Sequence, residues 1–126
     1  MLVGIEAKFD AGHHLPNYKG KCNQPHGHTW HLEVEFFGPM AIPDGMIADF
    51  GMLKSMVNAL VLETLDHKYL NDLIENPTCE NLVQWIWNIL VELLQKNHPT
   101  LPLYVHRIKL REGDGGWVIK GDDDGT

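Results

Sequence analysis

The chain has 126 residues, with 10 Lys and Arg against 17 Asp and Glu, a formal net charge of -7, and 44% hydrophobic residues. That length suits one domain, 1–126, and the apolar fraction supports a packed core and excludes a disordered chain. The acidic balance argues against nucleic acid or an anionic membrane as the main partner, while a local cationic patch can still hold a small anionic ligand.

From Val3 the odd positions read Val3, Ile5, Ala7, Phe9, Ala11 and His13, and the even ones include Glu6, Lys8, Asp10 and His14. This predicts a first strand with one dry face that ends on His13. Leu15 to Pro25, rich in Pro, Asn, Gly and Lys, is the connecting loop and carries Cys22. From His26 a second strand alternates His26, His28, Trp30, Leu32, Val34 and Phe36 with Thr29, His31, Glu33 and Glu35. His26 and His28 therefore share the dry side, about 6–7 Å apart along the backbone, and His31 has the opposite parity. A lone histidine on an apolar face is usually a core residue satisfied by one hydrogen bond. Two at i and i+2 must each hide a polar ring and find it a partner. Antiparallel pairing of the first two strands brings His13 beside them. Three neutral imidazoles converging from two strands form a zinc site with an open fourth position, as in catalytic zinc. If Cys22 closed that position, the site would instead be structural and inert.

Gly38, Pro39, Pro43 and Gly45 mark a loop, and Met46 to Phe50, with Asp49, reads as a short extended piece. Leu53, Met56, Val57, Leu60, Val61 and Thr64 then follow helical spacing and predict an amphipathic helix over 51–64. Asp66 and His67 lie just past its end. Thr78 is placed to cap a second helix, with Glu80 near the positive end of its dipole. From Leu82 to Leu94 that helix is apolar nearly all round, apart from Gln84, Asn88 and Glu92. It needs cover on more than one side, which points to oligomer contacts, and Trp85 and Trp87 read as packing residues. His98 to Pro102 breaks the helix. Tyr104, His106, Ile108 and Leu110 alternate with Arg107, Lys109 and Arg111 as a third strand, whose parity puts Glu112 on the dry side as a functional candidate. Gly113 to Gly116 is a hairpin turn, Trp117 to Lys120 the returning strand, and 121–126 an acidic tail. The order ββααββ defines an α+β fold with both helices on one face of an antiparallel sheet.

Two cysteines, Cys22 and Cys79, do not make a disulfide scaffold, so a reducing compartment is expected. The first residues lack a signal-peptide pattern and no stretch is apolar enough to span a bilayer, so a cytoplasmic location is expected.

Phe9-Asp-Ala-Gly-His13-His-Leu-Pro16, Cys22-x3-His26-Gly-His28, Leu65-Asp66-His67-x-x-Leu70-Asn71 and Pro77-Thr78-x-Glu80-Asn81-Leu82 occur in that order. Together they resemble the 6-pyruvoyl-tetrahydropterin synthase / 6-carboxy-5,6,7,8-tetrahydropterin synthase family, over about Phe9 to Glu112. The resemblance implies a tunnelling-fold subunit in which three chains close their sheets into a barrel and two trimers stack into a homohexamer with active sites between subunits. It also implies that His13, His26 and His28 hold Zn2+, that Cys22 is the proton-abstracting base, that Asp66 and His67 relay the proton, and that Glu112 anchors the pterin ring.

The spacing Cys-x3-His-Gly-His is similar to that of the 6-carboxytetrahydropterin synthases of queuosine and archaeosine biosynthesis. Their substrate is 7,8-dihydroneopterin triphosphate, and triphosphate and acetaldehyde leave. The alternatives within the resemblance are the 6-pyruvoyl enzyme, which eliminates triphosphate only, and aldolase or cyclohydrolase chemistry on a pterin. Lys19, Lys21, Lys54 and Lys68 are candidate cations for the triphosphate. Gly113 departs from the family, which often carries Thr after the anchoring Glu; the departure bears on one substrate hydrogen bond and not on the role of Glu112.

Overall fold

The computed structural model describes residues 1–122, so the expected acidic tail falls outside the described residues from 123 onwards. In chain order the elements are β1 (Leu2–His13), β2 (His26–Phe37), α1 (Phe50–Val57), α2 (Glu63–Leu65), β3 (Lys68–Tyr69), α3 (Cys79–Asn97), β4 (Tyr104–Glu112) and β5 (Trp117–Gly121). They form a mixed α+β fold with one five-stranded sheet in the order β3-β1-β2-β4-β5. β1 and β2 pair antiparallel from Leu2↔Phe37 to His13↔His26. The predicted alternation is present: Ile5, Phe9, Ala11, Trp30, Leu32, Val34 and Phe36 are buried, and Glu6, Lys8 and Asp10 are exposed. Phe9 stacks on Trp30, and the helices cover this dry face.

Four features depart from the sequence expectation. The sheet is not wholly antiparallel, because β3 joins β1 in parallel through Ala11↔Lys68 and Gly12↔Tyr69. Two residues are too few to show a period. The segment expected as an extended piece before the first helix ends instead in Asp49, whose side chain accepts from the Met52 N–H at 3.0 Å as an N-cap. The first helix runs from α1 into α2 through a π turn over Asn58–Leu62. The extra residue advances the buried face by one position, so Leu62 and Leu65 are buried and Thr64, expected on the apolar side, is exposed.

The fourth departure is in β4. The register moves from Glu35↔Arg107 to Phe36↔Val105, leaving His106 as an extra residue. Such a bulge reverses parity beyond it. Val105 rather than His106 enters the core, Tyr104 is exposed, and His106 approaches Asp122 at 3.9 Å.

Thr78 caps α3 by accepting from the Asn81 N–H at 3.0 Å. Leu82, Val83, Ile86, Leu90 and Leu94 are buried, with Trp85, Trp87, Ile89 and Leu93 half-buried against the core. On β5 the buried position is Lys120, whose ammonium lies over Trp87. Among the described residues, the outer edge of β5 and that of β1 from Leu2 to Phe9 take no strand partner. No helix of the described residues is long and apolar enough to cross a membrane.

Candidate active site and metal centre

The β1–β2 register sets His13 opposite His26 and Ala11 opposite His28, so three imidazoles leave the dry face at one end of the sheet. Ring centroids are 4.6 Å apart for His13 and His26, 5.2 Å for His13 and His28, and 4.7 Å for His26 and His28. Trp30 forms the floor, edge-on to His13 and His28, with its indole N–H donated to the Ala11 carbonyl. His13 Nδ1 lies 2.8 Å from the Pro77 carbonyl oxygen, and His26 Nδ1 lies 2.7 Å from that of Gln24. A carbonyl can only accept, so both Nδ1 atoms carry a proton, and in the neutral ring that tautomer leaves the lone pair on Nε2.

The Nε2 atoms of His13 and His28 are buried without a hydrogen-bond partner. Glu112 Oε1 stands 3.0 Å from His28 Nε2 and 3.8 Å from His13 Nε2, without hydrogen-bond alignment. The ligand atoms of His13, His26, His28 and Glu112 all lie within 4.8 Å of one another. Lone pairs and a carboxylate confronted in a half-buried space repel unless a cation stands among them. Three neutral imidazoles and a carboxylate suit a divalent ion such as zinc. Burial holds the His13 imidazole below the usual histidine value, opposed by the Pro77 hydrogen bond and the Glu112 charge. The neutral, ligating form is thereby favoured. His31 is not in this group.

Cys22 is half-buried in a short 3₁₀ turn, Lys21–Asn23, of the loop that the Leu15 N–H closes onto the Cys22 carbonyl at 2.7 Å. It does not join the imidazole group; among the described residues, the fourth member is Glu112. Gly113 follows in a left-handed turn at φ +55, where a Cβ would come 3.5 Å from His28 Nδ1. The turn suits glycine and not the threonine often carried by the resembled family.

Asp66 and His67 pair at 3.0 Å between Oδ2 and Nδ1, and both are exposed. They group with Asp10 and not with the histidines. The Asp10 N–H donates to Asp66 Oδ1 at 3.0 Å, and the His67 N–H donates back to the Asp10 carbonyl at 2.6 Å. His67 is held at φ +60, which non-glycine residues rarely adopt. The Asp10 N–H holds the Asp66 carboxyl below the usual range, reinforced by His67. A cavity of about 480 Å³ opens beside the dyad, lined by wet-parity Asp10, Gly12, Gly27 and Thr29, by Ala11 and His28 of the dry parity, and by His67 and Lys68. Of the four candidate lysines, Lys68 is the one lining it.

Asp10 and Thr29, whose hydroxyl donates to Asp10 Oδ1 at 2.5 Å, escape a sequence reading. Their wet parity looks like ordinary solvated strand. Their opposition across the β1–β2 register is the signal that could have found them.

A five-stranded sheet backed by two helices, with a His/Glu group able to hold a metal ion at one sheet end, places the chain among mixed α+β proteins. Within that class, a profile of the 6-pyruvoyl tetrahydropterin synthase family matches residues 3–121. The chain belongs to that family. It is 38% identical over 118 residues to an Archaeoglobus fulgidus protein provisionally named 6-carboxy-5,6,7,8-tetrahydropterin synthase, covering 94% of this chain and 93% of the relative. It is 39% identical over 97 residues to the 6-carboxy-5,6,7,8-tetrahydropterin synthase of Synechocystis sp., covering 72% and 75%. It is also 39% identical over 108 residues to the dihydroneopterin monophosphate aldolase of Pyrococcus furiosus, covering 86% of each. The fold matches the Caenorhabditis elegans 6-pyruvoyl tetrahydropterin synthase with a TM-score of 0.81 at 23% identity, over 98% of this chain and 96% of that one.

Proposed function

We propose that the chain is a zinc-dependent lyase converting 7,8-dihydroneopterin triphosphate to 6-carboxy-5,6,7,8-tetrahydropterin, with loss of triphosphate and acetaldehyde, in 7-deazapurine (queuosine or archaeosine) biosynthesis. The observation that carries it is the pair of buried, unpartnered Nε2 atoms facing the Glu112 carboxylate. Family membership and the names of the Archaeoglobus and Synechocystis relatives support the reaction class.

His13, His26 and His28 would hold the zinc. Bound there, the ion supplies Lewis acidity toward the side-chain hydroxyls of the substrate. Cys22, on its loop outside the imidazole group, takes the carbon-bound proton as thiolate. His67, oriented through Nδ1 by Asp66, would relay that proton through its other ring nitrogen. Glu112 accepts the N–H donors of the pterin ring at the mouth of the cluster. The family resemblance implies active sites between subunits, in which a second copy of the chain would supply the dyad, and its grouping with Asp10 leaves room for that arrangement. The open edges of β1 and β5 are where three copies would join into a barrel, and two trimers make the hexamer.

Cys22 standing outside the imidazole group speaks against a structural site of one cysteine and three histidines. The Pyrococcus relative keeps a second reading in play: retro-aldol cleavage of a dihydroneopterin phosphate. Incubation of the zinc-loaded protein with the triphosphate and with the monophosphate, followed by mass spectrometry, separates these. The 6-carboxy product is expected from the triphosphate. A 6-pyruvoyl product, or side-chain cleavage of the monophosphate alone, would replace this reading.

A further inference from the structure

Asn71 and Asn81 belong to the sequence motifs, yet neither the imidazole cluster nor the dyad uses them. The segment between α2 and α3 is fastened to consecutive residues at the end of β1. Asp66 and His67 bond to the Asp10 main chain, Lys68 and Tyr69 pair with Ala11 and Gly12, and Pro77 receives the ring of His13. Asn71 grips His14 from both sides: its Oδ1 accepts the His14 N–H at 2.9 Å and its Nδ2 donates to the His14 carbonyl at 3.0 Å.

At the other end, Asn81 Nδ2 donates to the Asn76 carbonyl at 2.8 Å, and the Thr78 N–H donates to the same oxygen at 2.9 Å. Two donors on one carbonyl fix the peptide before Pro77, and the proline ring fixes its own φ. The Pro77 carbonyl is left with one direction, onto His13 Nδ1. His13 is the most enclosed of the three histidines, with 1% of its surface accessible. Its ring has no solvent partner to substitute for that carbonyl.

We infer that Asn71 and Asn81 are positioning residues for His13: one clamps the main chain of the adjacent His14 and so the peptide that follows His13, and the other sets the carbonyl that fixes its tautomer and ring plane. Outer partners of this kind tune metal affinity without touching the ion. The inference rests on His13 being a zinc ligand.

The test is Asn71→Asp and Asn81→Asp, each of which keeps shape and removes one donor. Three quantities are read: zinc Kd by chelator competition, the 15N shifts of the His13 ring in zinc-free protein, and the zinc-free thermal melt. Zinc affinity should fall about tenfold in each variant, and the His13 nitrogens should move from a single Nδ1–H form toward a mixture. Asn81→Asp also places a carboxylate in the first turn of α3, where the helix dipole favours it. A merely structural role for Asn81 therefore predicts an equal or higher melt with zinc and tautomer unmoved, and that result overturns the inference. If a carboxylate variant does not fold, Asn81→Ala keeps both main-chain bonds at the helix start and carries the same expectation. Wild-type protein that fails to bind zinc sinks the ligand assignment itself. Tight wild-type binding with unaltered variants sinks only the role of the asparagines.

Discussion

Glu112 Oε1 stands 3.0 Å from Nε2 of His28, across the gap in which two buried ring nitrogens lack a partner. The carboxylate enters from β4, and the rings come from β1 and β2, so three strands meet at one charge. Three imidazoles suffice to hold zinc, and a carboxylate at the mouth can recognise a ring bearing N–H donors. His28→Ala should therefore lose zinc, whereas His31→Ala keeps it. Glu112→Gln should keep about one zinc per chain and raise KM for the pterin. Metal analysis checks all three. Equal zinc loss in His28→Ala and His31→Ala contradicts the parity argument, and zinc loss in Glu112→Gln would reassign the carboxylate as an indispensable ligand.

Cys22 and Cys79 differ in surroundings. Burial, with the Glu112 and Glu80 charges adding to it, pushes the Cys79 thiol up to about 12. It stays protonated at neutral pH, while its Sγ reaches the Leu110 carbonyl. Iodoacetamide at pH 7.5 should modify Cys22 and spare Cys79. Cys22→Ala should keep zinc and melting temperature and lower turnover by about 10²–10⁴-fold, the range of a lost general base. Zinc release from Cys22→Ala would make it a ligand and the site structural.

His13 ties stability to pH. Its folded-state pKa lies below the ordinary value of 6.5 because burial disfavours the imidazolium. The unfolded chain then binds the proton more readily, so protonation favours unfolding. The contribution is complete above 6.5 and is lost as pH falls from there toward the folded value, at no more than about 1.4 kcal/mol per pH unit for one proton. Zinc-free protein should lose denaturation midpoint as pH falls below 6.5, and His13→Gln should flatten that slope. A slope in His13→Gln equal to that of the wild type contradicts the assignment.

Much of this was legible from residue order. The period of two in β1 and β2 sorts His13, His26 and His28 from His14 and His31, and Thr78 announces α3. The unread parts turn on single residues. One extra residue in the π turn exchanges Thr64 for Leu65, and one bulged residue exchanges His106 for Val105. Neither insertion has a composition of its own, because both are settled by how the element packs. The docking of Asp66 and His67 on Asp10 uses mainly backbone groups, which every residue carries.

Assembly is the fourth expectation. α3 leaves Trp85 and Ile89 half-buried, and two strand edges lack partners among the described residues. An unpaired edge invites a neighbouring chain. Light scattering at micromolar concentration should give a hexamer, with a trimer as the smaller closed form. A monomer would contradict the proposed assembly and with it a site shared between copies.

The most direct measurement follows the carbon that leaves. Zinc-loaded protein is incubated with 7,8-dihydroneopterin triphosphate, acetaldehyde is trapped as its hydrazone, and the pterin and triphosphate are quantified alongside. The expected result is one acetaldehyde and one triphosphate for each 6-carboxy-5,6,7,8-tetrahydropterin formed, abolished in His28→Ala and strongly reduced in Cys22→Ala. Triphosphate release without acetaldehyde, or a pterin product formed equally well by Cys22→Ala, would contradict it.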